Sequence, residues 1–158
     1  MKVGIISDTH DNLGAVAAAM SEFRASEVEA ILHAGDYVAP FALKPIVEVG
    51  VPVHGVFGNC DGEHAGLSTL LPGISAGPKH IQLGGSKICI IHDATKLSHE
   101  DLLASDIVVC GHTHRTNIET REECLWINPG ECGGWLTRRS TVAILDTVTR
   151  ETEVVRVL

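Results

Sequence analysis

The sequence predicts an α/β fold with mixed sheets, on three observations: five short apolar runs rich in β-branched residues, polar or helix-periodic stretches between them, and two hairpin signals. The runs are Val3–Ile6, Ala30–Leu32, Val51–Phe57, Ile88–Ile91 and Ile107–Cys110. Each is too short for a helix, so each reads as a buried strand. Alternation with helices implies parallel pairing. Gly84-Gly85, between Ile81-x-Leu83 and the Ile88 run, adds an antiparallel turn, as does Asp146–Arg150 between Thr141–Leu145 and Val154–Leu158.

The helices follow from periodicity and capping. Asn12 caps a segment in which Leu13, Val16, Met20 and Phe23 recur at spacings of three and four, giving one apolar stripe. Phe41–Val49 reads as helical, with Pro45 confining or kinking it. Ser98-x-x-Asp101 is a capping box ahead of Leu102 and Leu103. Neither a repeat nor a linker interrupts the chain, so one domain is expected over residues 1–158.

Composition narrows the function classes. A chain of 158 residues can bury about 70% of the surface its unfolded form exposes, and 44% hydrophobic residues exclude a disordered chain. Net charge is −8 without a basic run, so no stable nucleic-acid binding is expected. No apolar stretch approaches the roughly 18 residues of a membrane span, and the N-terminus meets Asp8 before a signal-like region could finish. A cytoplasmic protein without membrane contact is the expectation. The five cysteines (Cys60, Cys89, Cys110, Cys124, Cys132) form no C-x-x-C pair and read as small apolar residues. Nine histidines against one tyrosine is the unusual entry in the composition.

Those histidines sit where chemistry collects. Each apolar run is followed, directly or within a few residues, by ligand-type side chains: Asp8-Thr9-His10, Gly35-Asp36, Gly58-Asn59-Cys60-Asp61, His92-Asp93 and Gly111-His112-Thr113-His114. In an α/β sheet the loops after strand C-termini gather on one edge, where ligands bind. A lone Asp before a helix is ordinarily a cap, but five such blocks on one edge call for another account. Carboxylates, an amide and imidazoles without thiolate suit two divalent first-row ions. Gly35, Gly58 and Gly111 let the backbone turn and approach ions closely.

In this order, Asp8-x-His10, Gly35-Asp36, Gly58-Asn59-Cys60-Asp61, His92 and Gly111-His112-x-His114 resemble the calcineurin-like metallophosphoesterases, and the length resembles their small single-domain phosphodiesterase branch. Asn128-Pro129-Gly130 and Arg138-Arg139…Ala143-Ile144-Leu145-Asp146 extend the likeness toward the C-terminus. The resemblance implies an α/β/β/α sandwich of two mixed sheets and a dinuclear centre. Asp8, His10 and His114 would hold one ion, Asn59, His92 and His112 the other, with Asp36 shared. Manganese is the first choice, with nickel, cobalt, iron or zinc as alternatives.

The expected chemistry is hydrolysis of phosphodiesters, with monoesters as a second class, by in-line attack of a metal-bridging hydroxide. Two divalent ions, two carboxylates and a hydroxide leave one positive charge, so an acidic protein still offers phosphate a positive pocket. Asp36, Asn59 and His112 would carry the catalytic centre. Larger relatives often place a histidine after the metal-binding Asn, where this chain has Cys60, and a thiol with a reference pKa of about 8.5 is a poor substitute acid. Either good leaving groups are preferred, or His64 supplies the proton.

Blander readings stand beside these. His33 and His54 read as packed strand residues, His80 and His99 as surface. Asp11, Asp61 and Asp93 could orient metal-bound imidazoles or lie solvated. Arg115 could bind a substrate phosphate or face solvent. Asn12 is first a cap and Asn128-Pro129-Gly130 first a turn, while Glu131 stands where relatives often have Ser. Trp126 and Trp135 read as core or interface. The alternative function is a non-catalytic metal-binding scaffold for protein interaction, the use one eukaryotic relative makes of this fold; against it, His10 is intact. The sequence leaves the physiological substrate and any homo-oligomer open.

Overall fold

The computed structural model describes residues 1–158. The first apolar run forms β1 (Lys2–Ile6), after which Asn12 caps α1 (Leu13–Ala25) by accepting the Ala15 N–H at 3.1 Å. The stripe anticipated on α1 is realised, with Val16, Met20 and Phe23 buried, whereas Leu13 is exposed. β2 (Ala30–His33) follows, then α2 (Pro40–Val47). Pro40 opens that helix at a position where a missing N–H costs nothing, and the helix continues through Pro45 to end two residues earlier than expected. β3 (Val53–Gly55) keeps only three of the seven residues predicted, because Val56 leaves the ladder to bridge Ser75.

α3 (His64–Leu70) was not anticipated. β4 (Lys79–Leu83) and β5 (Ser86–Ile90) are joined by Gly84-Gly85, both at positive φ (55° and 86°), the two-residue turn whose twist matches the flanking strands. A single 3-10 turn (Ala94–Lys96) precedes α4 (His99–Leu103), which starts with the predicted capping box. β6 (Ile107–Val109) is followed by an unpredicted hairpin, β7 (Thr116–Arg121) and β8 (Cys124–Pro129). β9 (Thr141–Asp146) and β10 (Thr152–Arg156) close the chain across the expected turn.

Two mixed five-stranded sheets result, ordered β10-β9-β1-β2-β3 and β4-β5-β6-β8-β7. Between them lies a core of 13 buried residues, including Val3, Ile5, Leu32, Ile88, Ile90, Val109 and Ile127. A second core seals α1, α2 and α3 against the first sheet, and a small third one, Cys89, Val108, Cys124 and Trp126, carries Leu102 of α4 on the outer face of the second. The layers run α/β/β/α. Each fully buried aliphatic side chain contributes about 1.5–3 kcal/mol, so truncating Leu32 or Ile90 to alanine should cost about 2–5 kcal/mol.

The consequence for function is directional. β1, β2 and β3 run parallel, and so do β5, β6 and β8. Backbone bonds then stitch the loops together, within each sheet by Asp8 N–H to Gly35 O, His10 N–H to Asp36 O and Gly111 N–H to His92 O, and across the sandwich by Cys132 N–H to Ser7 O and Gly133 N–H to Asp8 O. All five ligand blocks meet at one rim.

Candidate metal centre

Asp8 follows β1 and is fully buried. Its Oδ2 accepts the Ser7 hydroxyl at 2.6 Å and the His112 N–H at 3.2 Å, leaving Oδ1 turned toward two imidazoles. His114 Nε2 lies 3.6 Å from that oxygen and His10 Nε2 lies 4.0 Å from it. Asp36, after β2, divides its oxygens the same way. Oδ1 accepts the Cys60 N–H at 2.8 Å, and Oδ2 stands 3.5 Å from His10 Nε2 and 3.4 Å from His92 Nε2. Asn59 Oδ1 is 2.9 Å from His92 Nε2 and 2.8 Å from His112 Nδ1.

The imidazoles are oriented from behind. His92 Nδ1–H donates to Ala34 O at 2.8 Å, and His114 Nδ1–H donates to Glu131 Oε2 at 3.0 Å. In each case Nε2 is left with a lone pair facing the carboxylates, which is how a ligating histidine is normally fixed. His10 Nε2 is buried with no hydrogen-bond partner. A buried polar atom without a partner requires an explanation, and this one points into a group, Asp8, His10, Asp36 and His114, whose ligand atoms all lie within 4.8 Å of one another. Ligand atoms about 2.1 Å from one ion stand about 3.0 Å apart at a right angle and about 3.4 Å apart at a tetrahedral one. Two ligands opposite one another across an ion stand about 4.2 Å apart, and the separations here, from 2.8 to 4.0 Å, fall below that limit, so the residues fit divalent ions.

Charge follows burial. Burial pushes the Asp8 carboxyl up, with the Ser7 hydrogen bond and the charges of His92 and His114 only partly offsetting it. For Asp36 burial also pushes up, but the His92 and Cys60 hydrogen bonds and the His92 and His10 charges outweigh it and hold the group at about 2. The Cys60 thiol is raised by burial and by Asp36, Asp61 and Asp8, which makes it a still weaker acid.

The backbone at the rim is unusual. Asp8, His10, Asp36, His112 and His114 all adopt positive φ, between 41° and 69°, a region costing about 1–3 kcal/mol for non-glycine residues and characteristic of functional loops. Close approach explains two glycines: a Cβ at Gly58 would overlap Asp36 Oδ1, and one at Gly111 would overlap Ser7 Oγ.

The other side chains singled out in the sequence divide between expected places, as for His33 packed on β2, Asn12 at its helix cap and Trp126 in a core, and unexpected ones. Asp61 is buried and accepts the N–H groups of Asp36, Val38 and Gly58, holding the loops rather than an imidazole. Asp11 accepts Ala39 N–H, and Asp93 caps Thr95. Asn12 spends its amide on Gly133 O, and Asn128 donates to Gly111 O and Thr113 Oγ1, bracing the last metal loop from within β8. His33 is buried and stacked on Tyr37, its Nδ1 accepting Gly35 N–H; burial and the His92 charge push it down to about 3. His64 stacks on Phe57 and lines a cavity of about 300 Å³ with Asn59 and His92. Trp126 belongs to the outer core under Arg121, whereas Trp135 is 63% exposed beside the cluster, donating its indole N–H to His10 O at 3.1 Å. Glu131 was missed. It is fully buried, bonded to His114, Leu136 N–H and Thr137 N–H, and no local sequence pattern marks that role.

Comparison with known proteins agrees with the fold. The family model described as the calcineurin-like phosphoesterase superfamily domain matches residues 1–150. Phosphodiesterase MJ0936 of Methanocaldococcus jannaschii is 35% identical over 159 residues, 96% of each chain. A solved structure described as a novel archaeal phosphodiesterase superposes with a TM-score of 0.88 at 33% identity, covering 99% of each chain. Vps29 of Entamoeba histolytica, solved with zinc, gives 0.72 at 19% identity over 99% of this chain and 98% of that one, a likeness of fold alone.

Proposed function

The chain belongs to the calcineurin-like phosphoesterase superfamily and is a metal-dependent phosphoester hydrolase, and from that premise we propose that it cleaves phosphodiesters, and monoesters secondarily, at a two-ion centre. Asp8, His10 and His114 would hold one ion and Asn59, His92 and His112 the other, with Asp36 shared. The observation that carries this reading is Asp36 Oδ2, 3.5 Å from an imidazole of one set and 3.4 Å from an imidazole of the other. When bound, a pair of ions supplies Lewis acidity and a water that ionises near neutral pH.

The residues do the rest. Only two carboxylates face the centre, and Asn59 is neutral, so charge is left over for the phosphate. The Ala34 and Glu131 bonds keep His92 and His114 in the tautomers that present Nε2. His64, on the cavity it shares with Asn59 and His92, protonates the leaving oxygen. One domain spans residues 1–158, and manganese is the first metal to try, followed by nickel, cobalt, iron and zinc.

The deciding experiment is hydrolysis of bis-p-nitrophenyl phosphate with manganese or nickel, beside Asp36→Asn and chelator controls. Turnover that needs both metal and Asp36 is the expected result. Absence of turnover on any ester, with metal demonstrably bound, overturns the proposal in favour of a binding scaffold. For His64, His64→Ala should slow a plain alkyl ester more than an activated aryl ester, and equal losses would remove it from the acid role.

A further inference from the structure

β10 and β7 are the edge strands on one side of the sandwich, and between the two sheets there lies a cleft of about 560 Å³, within the range of about 300–1,000 Å³ typical of small-molecule sites. Its walls carry three arginines: Arg115 just before β7, Arg139 in the loop between β8 and β9, and Arg156 on β10. Thr116, Thr137 and Thr141 complete the polar lining, and no acidic residue takes part. In a protein of net charge −8 with 12 basic residues, three guanidiniums from three separate segments converge on one cavity.

None of the three forms an ion pair with a side-chain carboxylate; Arg156 Nε donates to Leu158 O at 2.8 Å. Basic side chains on an edge strand ordinarily discourage strand pairing, but that role fits Arg156 alone, since Arg115 and Arg139 lie off the strands. Convergent guanidiniums, of which those of Arg115 and Arg139 pair with no carboxylate, repel one another and lower the cost of holding an anion. Their planar forks match phosphate oxygens. The cleft also shares a wall with the metal cluster, because His114 lines both.

We propose that this cleft is a subsite for a second phosphate of the substrate, one carried beyond the ester being cleaved. The inference rests on the hydrolase reading and narrows its substrate class to esters bearing two phosphate groups. The 560 Å³ volume exceeds a single phosphate, leaving room for the sugar-sized group that links the two.

Two p-nitrophenyl esters that share a leaving group test it: thymidine 5′-(p-nitrophenyl phosphate), and the same compound with a 3′-phosphate. Wild-type protein with manganese should favour the second by about tenfold or more in kcat/KM. In Arg139→Gln/Arg156→Gln that preference should fall to within about twofold of unity, while the rate on the first ester stays within about threefold. An enzyme indifferent to the 3′-phosphate, or a double variant that keeps the preference, overturns the substrate assignment. Calorimetry with inorganic pyrophosphate on chelator-treated protein reads the cleft without turnover, since the metal-free cluster presents carboxylates. The double variant should bind at least tenfold more weakly, with melting checked to show that it is folded. Unchanged or absent pyrophosphate binding overturns the subsite. Failure of both esters to turn over, with pyrophosphate binding lost in the variant, would instead count against the hydrolase reading and leave the anion site standing.

Discussion

The two halves of the centre are built differently. Asp8, His10 and His114, with Asp36, form a buried set: both carboxylates are at most 2% exposed, and Glu131 braces His114 from the interior. Asn59, His92 and His112 form an open set, in which only His92 is buried and the other two side chains reach solvent. On the proposed two-ion reading, the first set would bring two negative charges to its ion, the second only a share in Asp36. In low dielectric an ion facing two carboxylates is held far more strongly than one facing neutral ligands. The buried half should therefore act as a permanent seat, and the open half as the exchangeable one.

Replacing the residue common to both halves gives the largest effect. Asp36→Asn should remove several kcal/mol of stabilisation, about three orders of magnitude or more in kcat/KM, with metal content measured by mass spectrometry falling below one ion per chain. Retention of two ions would dissolve the distinction. Next come the single-sided variants: Asp8→Asn should empty the buried seat, whereas Asn59→Ala should leave one tightly held ion. If Asn59→Ala loses both, the halves are not separable. Glu131→Gln keeps the shape but weakens the hold on His114 and should cost about 10–100-fold in metal affinity, read by competition with a chromogenic chelator; unchanged affinity would make Glu131 a loop brace only.

Beneath the buried half the effect is on stability rather than on metal, and it emerges only in acid. The folded protein holds His33 neutral down to about pH 3, while an unfolded chain protonates it near 6.5. Stability from this group is therefore complete above pH 6.5 and declines as pH falls from there toward 3. One proton corresponds to a slope of about 1.4 kcal/mol per pH unit. Denaturant melts of metal-free His33→Gln should show a shallower acid decline than wild type, and parallel curves would refute the assignment.

What could be read in the sequence follows the same division. The ligand blocks were visible because short β-branched runs end in Gly, Asp and His, and parallel strands leave such ends on one edge. Glu131 gave no local pattern: it lies 17 positions beyond His114 and meets it only because β8 runs beside β6. β7 escaped notice because five of its six residues are exposed, so no apolar alternation marks it. β8 is buried throughout but ends in Asn128-Pro129, which looks like a turn in isolation. Positive φ at Asp8, Asp36 and His112 is likewise silent in the sequence, where glycine is the usual sign of it.

Trp135 gives the centre an optical reporter. The chain has two tryptophans, and only this one reaches solvent, with its indole tied to the carbonyl of His10; Trp126 is shielded on the outer face of the second sheet. A cation bound at His10 should therefore alter the emission of this one exposed fluorophore. Occupancy of the centre should thus be titratable by tryptophan emission in unlabelled protein.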